Sequence, residues 1–271
     1  MLVRFWGVRG SIPCPGHGTA RYGGNTACVE VRCGDHLVVF DAGTGLRPLG
    51  NSLDQAAGVQ ADIFLSHCHL DHIAGFPFFA PAYRPATQLR VWAGNLLPDR
   101  TLSQVARTVM SEPLFPGAGG IFKANIAFRD FHAGQVLRPG ADITVRTAPL
   151  NHPGRATGYR LEFGNRAVAY ITDTEHRPGK LDEHVVTLAN GADLVIYDCN
   201  FTDEEFPTRT GWGHSTWQEG LRILGAAGAK RLAIFHHDPD HDDAFLDGVK
   251  AQATARDPGA IVAAEGLMLQ I

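Results

Sequence analysis

Apolar residues along this chain fall into short runs, most of them broken by glycine, proline or polar residues before a second helical turn can form. Short runs rich in Val, Ile, Phe and Tyr read as strands. They predict strands over 2–6, 27–33, 37–40, 63–65, 89–92, 122–131, 143–148, 156–163, 166–171, 194–197, 231–235 and 261–270. Gly164 and Asn165 turn 156–163 and 166–171 into a hairpin. Helical spacing predicts helices over 102–110, 181–189, 216–227 and 242–255, and a helix over 73–83 that breaks at Pro85. Ser215 or Thr216 suits the N-cap of the helix 216–227, and Gly228 its end. Loops rich in glycine and proline occupy 10–25 and 110–120. There is no repeat, no low-complexity tract and no linker. The expectation is one α/β domain spanning 1–271, with two mixed sheets between layers of helix.

Composition adds limits. Apolar residues make up 44% and charged residues 19%, which is an ordinary globular balance. A net charge of -4 and a pI near 6.3 argue against an extended basic surface for duplex nucleic acid. A small anion is still acceptable where bound metal supplies local positive charge. The opening residues lack the basic and apolar regions of a signal peptide. No stretch approaches the roughly 18 apolar residues of a membrane span, so a cytoplasmic protein without a membrane partner is expected. Five cysteines, Cys14, Cys28, Cys33, Cys68 and Cys199, are odd in number and irregular in spacing, as suits reduced thiols. The alternative is a structural zinc held by Cys14, His17, Cys28 and Cys33, which lack CxxC spacing.

The chain carries 13 histidines, and they concentrate in short motifs. The densest is His67-x-His69-x-Asp71-His72, at the end of the run 63–65. Imidazole and carboxylate bind zinc, manganese and iron. In extended chain, residues i and i+2 point the same way, so His67 and His69 can share one ion. Asp71 and His72, just past the turn, can reach a second ion. A solvated loop with chance histidines is the plain alternative.

This motif resembles that of the metallo-β-lactamase superfamily, and later segments match in order. The resemblance implies a four-layer αββα sandwich. It makes His152 the third ligand of the first ion, Asp173 the bridging carboxylate and His236 the last ligand of the second ion, with His237 competing for that place. Two close metal ions lower the pKa of bound water and stabilise charge on the attacked group. Asp71 would also orient the nucleophile.

Residue types narrow the branch. Flavodiiron oxidoreductases place a Glu where this chain has His69, and antibiotic-hydrolysing lactamases usually a Cys at the position of Asp173. Glyoxalase II enzymes append a helical domain, and only 35 residues follow His236 here. The segment Gly211-Trp-Gly-His-Ser-Thr216 resembles the His-Ser-Thr motif of the phosphodiesterase branch. That makes His214 the acid beside the leaving oxygen, a role suited to imidazole; a structural neighbour of the helix cap is the alternative. Ribonuclease Z enzymes usually carry a long arm for tRNA, and only 21 positions separate His152 from Asp173. The segments 5–13, 21–26 and 198–205 look like those of small bacterial phosphodiesterase-like members. The expectation is therefore hydrolysis of a small, cyclic nucleotide or sugar phosphodiester with two divalent ions, zinc first and manganese or iron as alternatives. The resemblance also implies a homodimer. A hydrolase of thioesters, lactones or lactams, a tRNA-processing nuclease and a non-catalytic cyclic-nucleotide binder are the competing readings. Arg9, Arg155 and Lys123 are open candidates for phosphate contact, and Phe115, Phe122 and Trp212 for base stacking or the core.

Overall fold

A computed structural model describes residues 1–53, 58–116 and 121–271. In chain order the strands are β1 (Leu2–Gly7), β2 (Cys28–Cys33), β3 (His36–Phe40), β4 (Gln60–Leu65), β5 (Gln88–Ala93), β6 (Asn125–Asp130), β7 (Val136–Gly140), β8 (Ile143–Leu150), β9 (Ala156–Phe163), β10 (Arg166–Ile171), β11 (Leu194–Asp198), β12 (Leu232–Phe235), β13 (Ala260–Val262) and β14 (Met268–Gln270). The helices are α1 (Leu46–Ser52), α2 (Leu70–Ile73), α3 (Leu102–Val109), α4 (Glu183–Ala189), α5 (Trp217–Ala227) and α6 (Asp243–Arg256). One sheet runs β14-β1-β2-β3-β4-β5-β6 and the other β13-β12-β11-β10-β9-β8-β7.

The two sheets pack face to face over Val3, Phe5, Phe40, Phe64, Tyr159, Tyr170 and Phe235. Phe40 and Tyr170, one from each sheet, stack with ring centroids 4.9 Å apart. The outer face of the first sheet is covered by α1 and α3 through Leu46, Leu49 and Leu102. The outer face of the second is covered by α4, α5 and α6 through Leu188, Ile223, Leu224 and Val249. The result is the αββα layering expected, and it explains why the central strands read as unbroken apolar runs: both of their faces are buried. Helix α5 starts where expected, with the Thr216 side chain accepting from the Glu219 amide at 3.0 Å and Gly228 closing the end at φ 58°.

Two expectations change, and two elements appear that the sequence reading left out. The helix expected over 73–83 is a single turn, α2, followed by two 3₁₀ turns, Phe76–Phe78 and Ala80–Tyr83. Pro77 and Pro81 each remove an amide donor and steer the chain before Pro85 is reached. The strand expected over 261–270 is split at Gly266 (φ 80°) into β13 in one sheet and β14 in the other. Strand β7 and helix α1 had no periodic signal. The loop 110–120 is helical no further than Val109, and its last four residues lie outside the described ones.

The zinc site considered for the cysteines does not form. Cys28 and Cys33 are the two ends of β2. Five residues of strand separate them by about 16 Å. Two thiolates about 2.3 Å from one zinc cannot span that. All five cysteines are free thiols.

Candidate metal centre

Strands β3 and β4 run parallel, as do β10, β11 and β12. Their C-terminal ends, together with that of β8, therefore open on one edge of the sandwich. Asp41 follows β3, His67 to His72 follow β4, His152 follows β8, Asp173 follows β10, and His236 follows β12. Asp41, Asp173 and His236 adopt left-handed backbone, at φ 60°, 57° and 63°. A non-glycine residue there costs on the order of 1–2 kcal/mol. The strain is concentrated at this edge, where it turns side chains inward.

The seven residues expected as ligands meet in one place, in two sets. His67, His69 and His152 converge, with His152 Nε2 3.2 Å from His69 Nδ1. Asp173 Oδ1 closes this set, 3.8 Å from His67 Nε2 and 3.7 Å from His152 Nε2. The second set is Asp71, His72 and His236. His72 Nε2 lies 3.1 Å from Asp71 Oδ2, 3.2 Å from Asp173 Oδ2 and 3.3 Å from His236 Nε2. His236 Nε2 lies 3.4 Å from Asp71 Oδ2 and 3.3 Å from Asp173 Oδ2. Tetrahedral ligands about 2.0–2.1 Å from an ion have edges of about 3.3–3.4 Å, so this set is sized for a small divalent metal. Asp173 turns one oxygen to each set.

Hydrogen bonding shows why a cation fits. His72 donates Nδ1–H to Asp41 Oδ2 at 2.8 Å, and His152 donates Nδ1–H to the Gly213 carbonyl at 2.8 Å. Each neutral ring then presents an Nε2 lone pair to other acceptors, which only a positive charge relieves. His67 Nε2 is buried with no partner. Burial opposes a charged imidazole at His72, yet Asp173, Asp71 and Asp41 hold its pKa well above the ordinary value. Burial likewise opposes ionisation of Asp71 and Asp173, but the surrounding histidines hold both well below the usual carboxylate range. The pocket is built for positive charge.

His237, the competitor of His236, points away: its Nε2 donates to the Ala263 carbonyl at 2.8 Å, and burial lowers its pKa to about 3. Arg9 is buried and donates to the carbonyls of Gly23, Asp238 and His241, so it is a structural tie. Phe122 packs edge-on against Phe76 and Tyr83, and Phe115 against Phe78. Trp212 is exposed under the Arg209 guanidinium.

His214 stands beside both sets, its ring 5.4 Å from that of His152 and 5.1 Å from that of His236. Its Nδ1–H donates to Asp198 Oδ2 at 2.9 Å. Burial disfavours the imidazolium, but Asp198 outweighs it and pushes the pKa up to about 9. Sequence reading assigned no role to three supporting groups. Asp41 accepts from the Ser66 amide, the Ser66 hydroxyl, His72 and Tyr170. Asp198 fixes His214. Glu175 accepts from the amides of Gly211 and Gly213, both at 2.8 Å, and so holds the turn that bonds His152. A Cβ at Gly213 would lie 2.4 Å from His152 Nδ1, so this turn needs glycine. The signal for Asp41 and Asp198 was present: each is the acidic residue closing an apolar run.

An edge that gathers seven histidine and aspartate side chains, five of them buried, on two sheets between helices, defines the metallo-β-lactamase class of metal-dependent hydrolases. The sequence model of the beta-lactamase superfamily domain matches residues 36–237, and the chain belongs to that family. Within it the chain is phosphodiesterase-like. It is similar to ribonuclease Z of Halobacterium salinarum, 26% identical over 316 aligned positions, covering 99% of this chain and 97% of that protein. Among solved structures it resembles the metallo-beta-lactamase fold protein YhfI from Bacillus subtilis, with a TM-score of 0.73 and 21% identity, covering 99% of this chain and 98% of that one. It also resembles a diphosphatase from the PhnP family, with a TM-score of 0.71 and 18% identity, covering 100% and 97%. Among the described residues no helix is long and apolar enough to cross a membrane.

Proposed function

We propose that the protein hydrolyses a small phosphodiester, a cyclic nucleotide or sugar phosphodiester, at two divalent ions, with zinc as the metal. His67, His69 and His152 would hold one ion and Asp71, His72 and His236 the other, with Asp173 facing both sets. When bound, the ions activate water and neutralise charge on the attacked phosphate. The remaining work falls to side chains. Asp71 accepts the Ser11 amide at 2.8 Å on the same oxygen that faces the second ion set, which fixes its rotamer. His214 protonates the leaving oxygen through Nε2, since Nδ1 is committed to Asp198. The observation that carries the reading is this buried Asp198–His214 pair beside a carboxylate shared by two ligand sets, a proton donor where a poor alkoxide leaving group needs one.

The relatives named ribonuclease Z favour a second reading, cleavage of RNA. The alignment to the Halobacterium protein runs over 316 positions against 271 residues here, so at least 45 positions are filled by the relative alone. Between His152 and Asp173 this chain has only the β9–β10 hairpin, turned at Gly164. That economy, with the net charge of -4, favours a small substrate. Leu70, within the metal motif, and Phe78, just after it, expose large apolar side chains, which supports a homodimer as part of the same reading.

The test is turnover of 3′,5′- and 2′,3′-cyclic nucleotides, bis(p-nitrophenyl) phosphate and a tRNA precursor, each with zinc or manganese. Rapid hydrolysis of one cyclic compound establishes the reading. Cleavage of the tRNA precursor alone replaces it with the second, and turnover only of thioesters or lactones removes both.

A further inference from the structure

His214 meets the leaving oxygen, so the group that carries this oxygen lies on the His214 side of the site. In a cyclic nucleotide that group is the ribose, and the same ribose carries the base. Trp212 stands on this side, two residues before His214. It is 58% exposed. Trp6 and Trp217 are buried and Trp92 stacks on Phe64, so Trp212 is the tryptophan that faces solvent.

The indole is held in place. Gly211 and Gly213 flank it in left-handed backbone, at φ 90° and 87°, and Glu175 pins both of their amides. The Gly213 carbonyl accepts from His152, which ties the turn to the metal centre. Buried Phe201 meets the Trp212 ring edge-on at 6.4 Å and the His214 ring edge-on at 6.1 Å, and so spaces the two. The Arg209 guanidinium covers one indole face, 4.9 Å from the ring centroid. With that face under Arg209 and an edge against Phe201, the exposed surface is chiefly the other face. A ring already fixed loses little freedom when a ligand stacks on it. Every base offers a flat π-face, so such stacking accepts any base and rejects a sugar without one.

We propose that Trp212 is the platform on which the base of a nucleotide substrate stacks. The inference rests on the phosphodiesterase reading and narrows its substrate from nucleotide or sugar phosphodiesters to nucleotides. Trp212 is then a specificity residue, and because it is exposed its replacement leaves the fold intact.

Two measurements test it on the metal-loaded protein. The first compares the KM for 3′,5′- and 2′,3′-cyclic AMP with that for a cyclic ribose phosphate that has no base. One base–indole stack corresponds to about tenfold or more in affinity. The better of the two nucleotides has a KM about tenfold lower than the base-free compound, Trp212→Ala removes the difference, and Trp212→Phe restores part of it. The second is calorimetric binding of adenosine 3′- and 5′-monophosphate against ribose 5-phosphate, with tryptophan emission followed in the wild type. One adenosine monophosphate binds about tenfold tighter than ribose 5-phosphate and quenches the emission, and it binds no tighter than ribose 5-phosphate to Trp212→Ala. No preference for the base in the wild type, or a preference that survives Trp212→Ala, overturns the platform. A Trp212-dependent binding preference without hydrolysis of any phosphodiester leaves the platform standing and removes the phosphodiesterase reading instead.

Discussion

Nδ1 of His214 donates to Oδ2 of Asp198 across 2.9 Å, and Asp198 has no exposed surface. A buried carboxylate on one ring nitrogen sets the tautomer and the direction of the other. His214→Ala is expected to lower kcat by about 10²–10⁴ for a poor leaving group, and far less for p-nitrophenolate, which leaves without a proton. Asp198→Asn removes the charge that raises His214, so the alkaline limb of the pH–rate profile moves to lower pH. A profile that stays in place would show that Asp198 is structural only.

Asp173 offers one oxygen to each ligand set, so its loss disables both. Asp173→Ala is expected to abolish turnover and leave less than two ions per chain by elemental analysis. The fold gains stability from bound metal, because the unfolded chain does not gather these ligands. Metal at 100 times its Kd adds about 2.7 kcal/mol, so chelation lowers Tm and added zinc restores it. A Tm insensitive to chelation, with Asp173→Ala still active, would remove the dinuclear reading.

Asp41 is buried and accepts four hydrogen bonds, one of them from His72. Asp41→Asn replaces an acceptor with a donor facing other donors. It is expected to weaken metal affinity by about 10–100-fold, as loss of a ligand's hydrogen-bond partner does. It should also lower stability by several kcal/mol, on the order of 3–5, as breaking a buried charged network does. Denaturant unfolding and metal titration report the two effects separately.

Asp193 ties the start of β10 to the strands beside it, accepting from the Ala167 amide at 2.9 Å, Arg166 at 3.0 Å and Lys230 at 2.7 Å. Burial opposes its charge, but Lys230, the Ala167 amide and Arg166 lower its pKa to about 2. A depressed carboxylate stabilises the fold fully above its unfolded value, about 3.9, and loses that contribution as pH falls through 2. The partners are partly exposed, so about 1–2 kcal/mol is involved. Unfolding of wild type and Asp193→Asn should differ at pH 5 and converge towards pH 2.

Much of the fold and site was legible in order along the chain. His67, His69, Asp71 and His72 lie within six residues, and a local cluster needs no tertiary information to be noticed. His152, Asp173 and His236 each end an apolar run, so their places at strand ends were readable, and family resemblance put them together. The proline-broken segment 73–83 and the split strand 261–270 were misread for one reason. Periodicity reports which faces are buried, not which sheet buries them or where the chain must bend.

The sequence by itself determined most strand positions, the α/β class and the local cluster His67, His69, Asp71 and His72, because each rests on local spacing; the later candidate ligands came from family resemblance. Only the tertiary structure decided that Asp173 divides its oxygens between two sets, that His236 rather than His237 faces the site, and that Asp41 and Asp198 aim His72 and His214. Those facts depend on side-chain direction at strand ends, where left-handed backbone at Asp41, Asp173 and His236 is held by contacts between residues far apart in the chain.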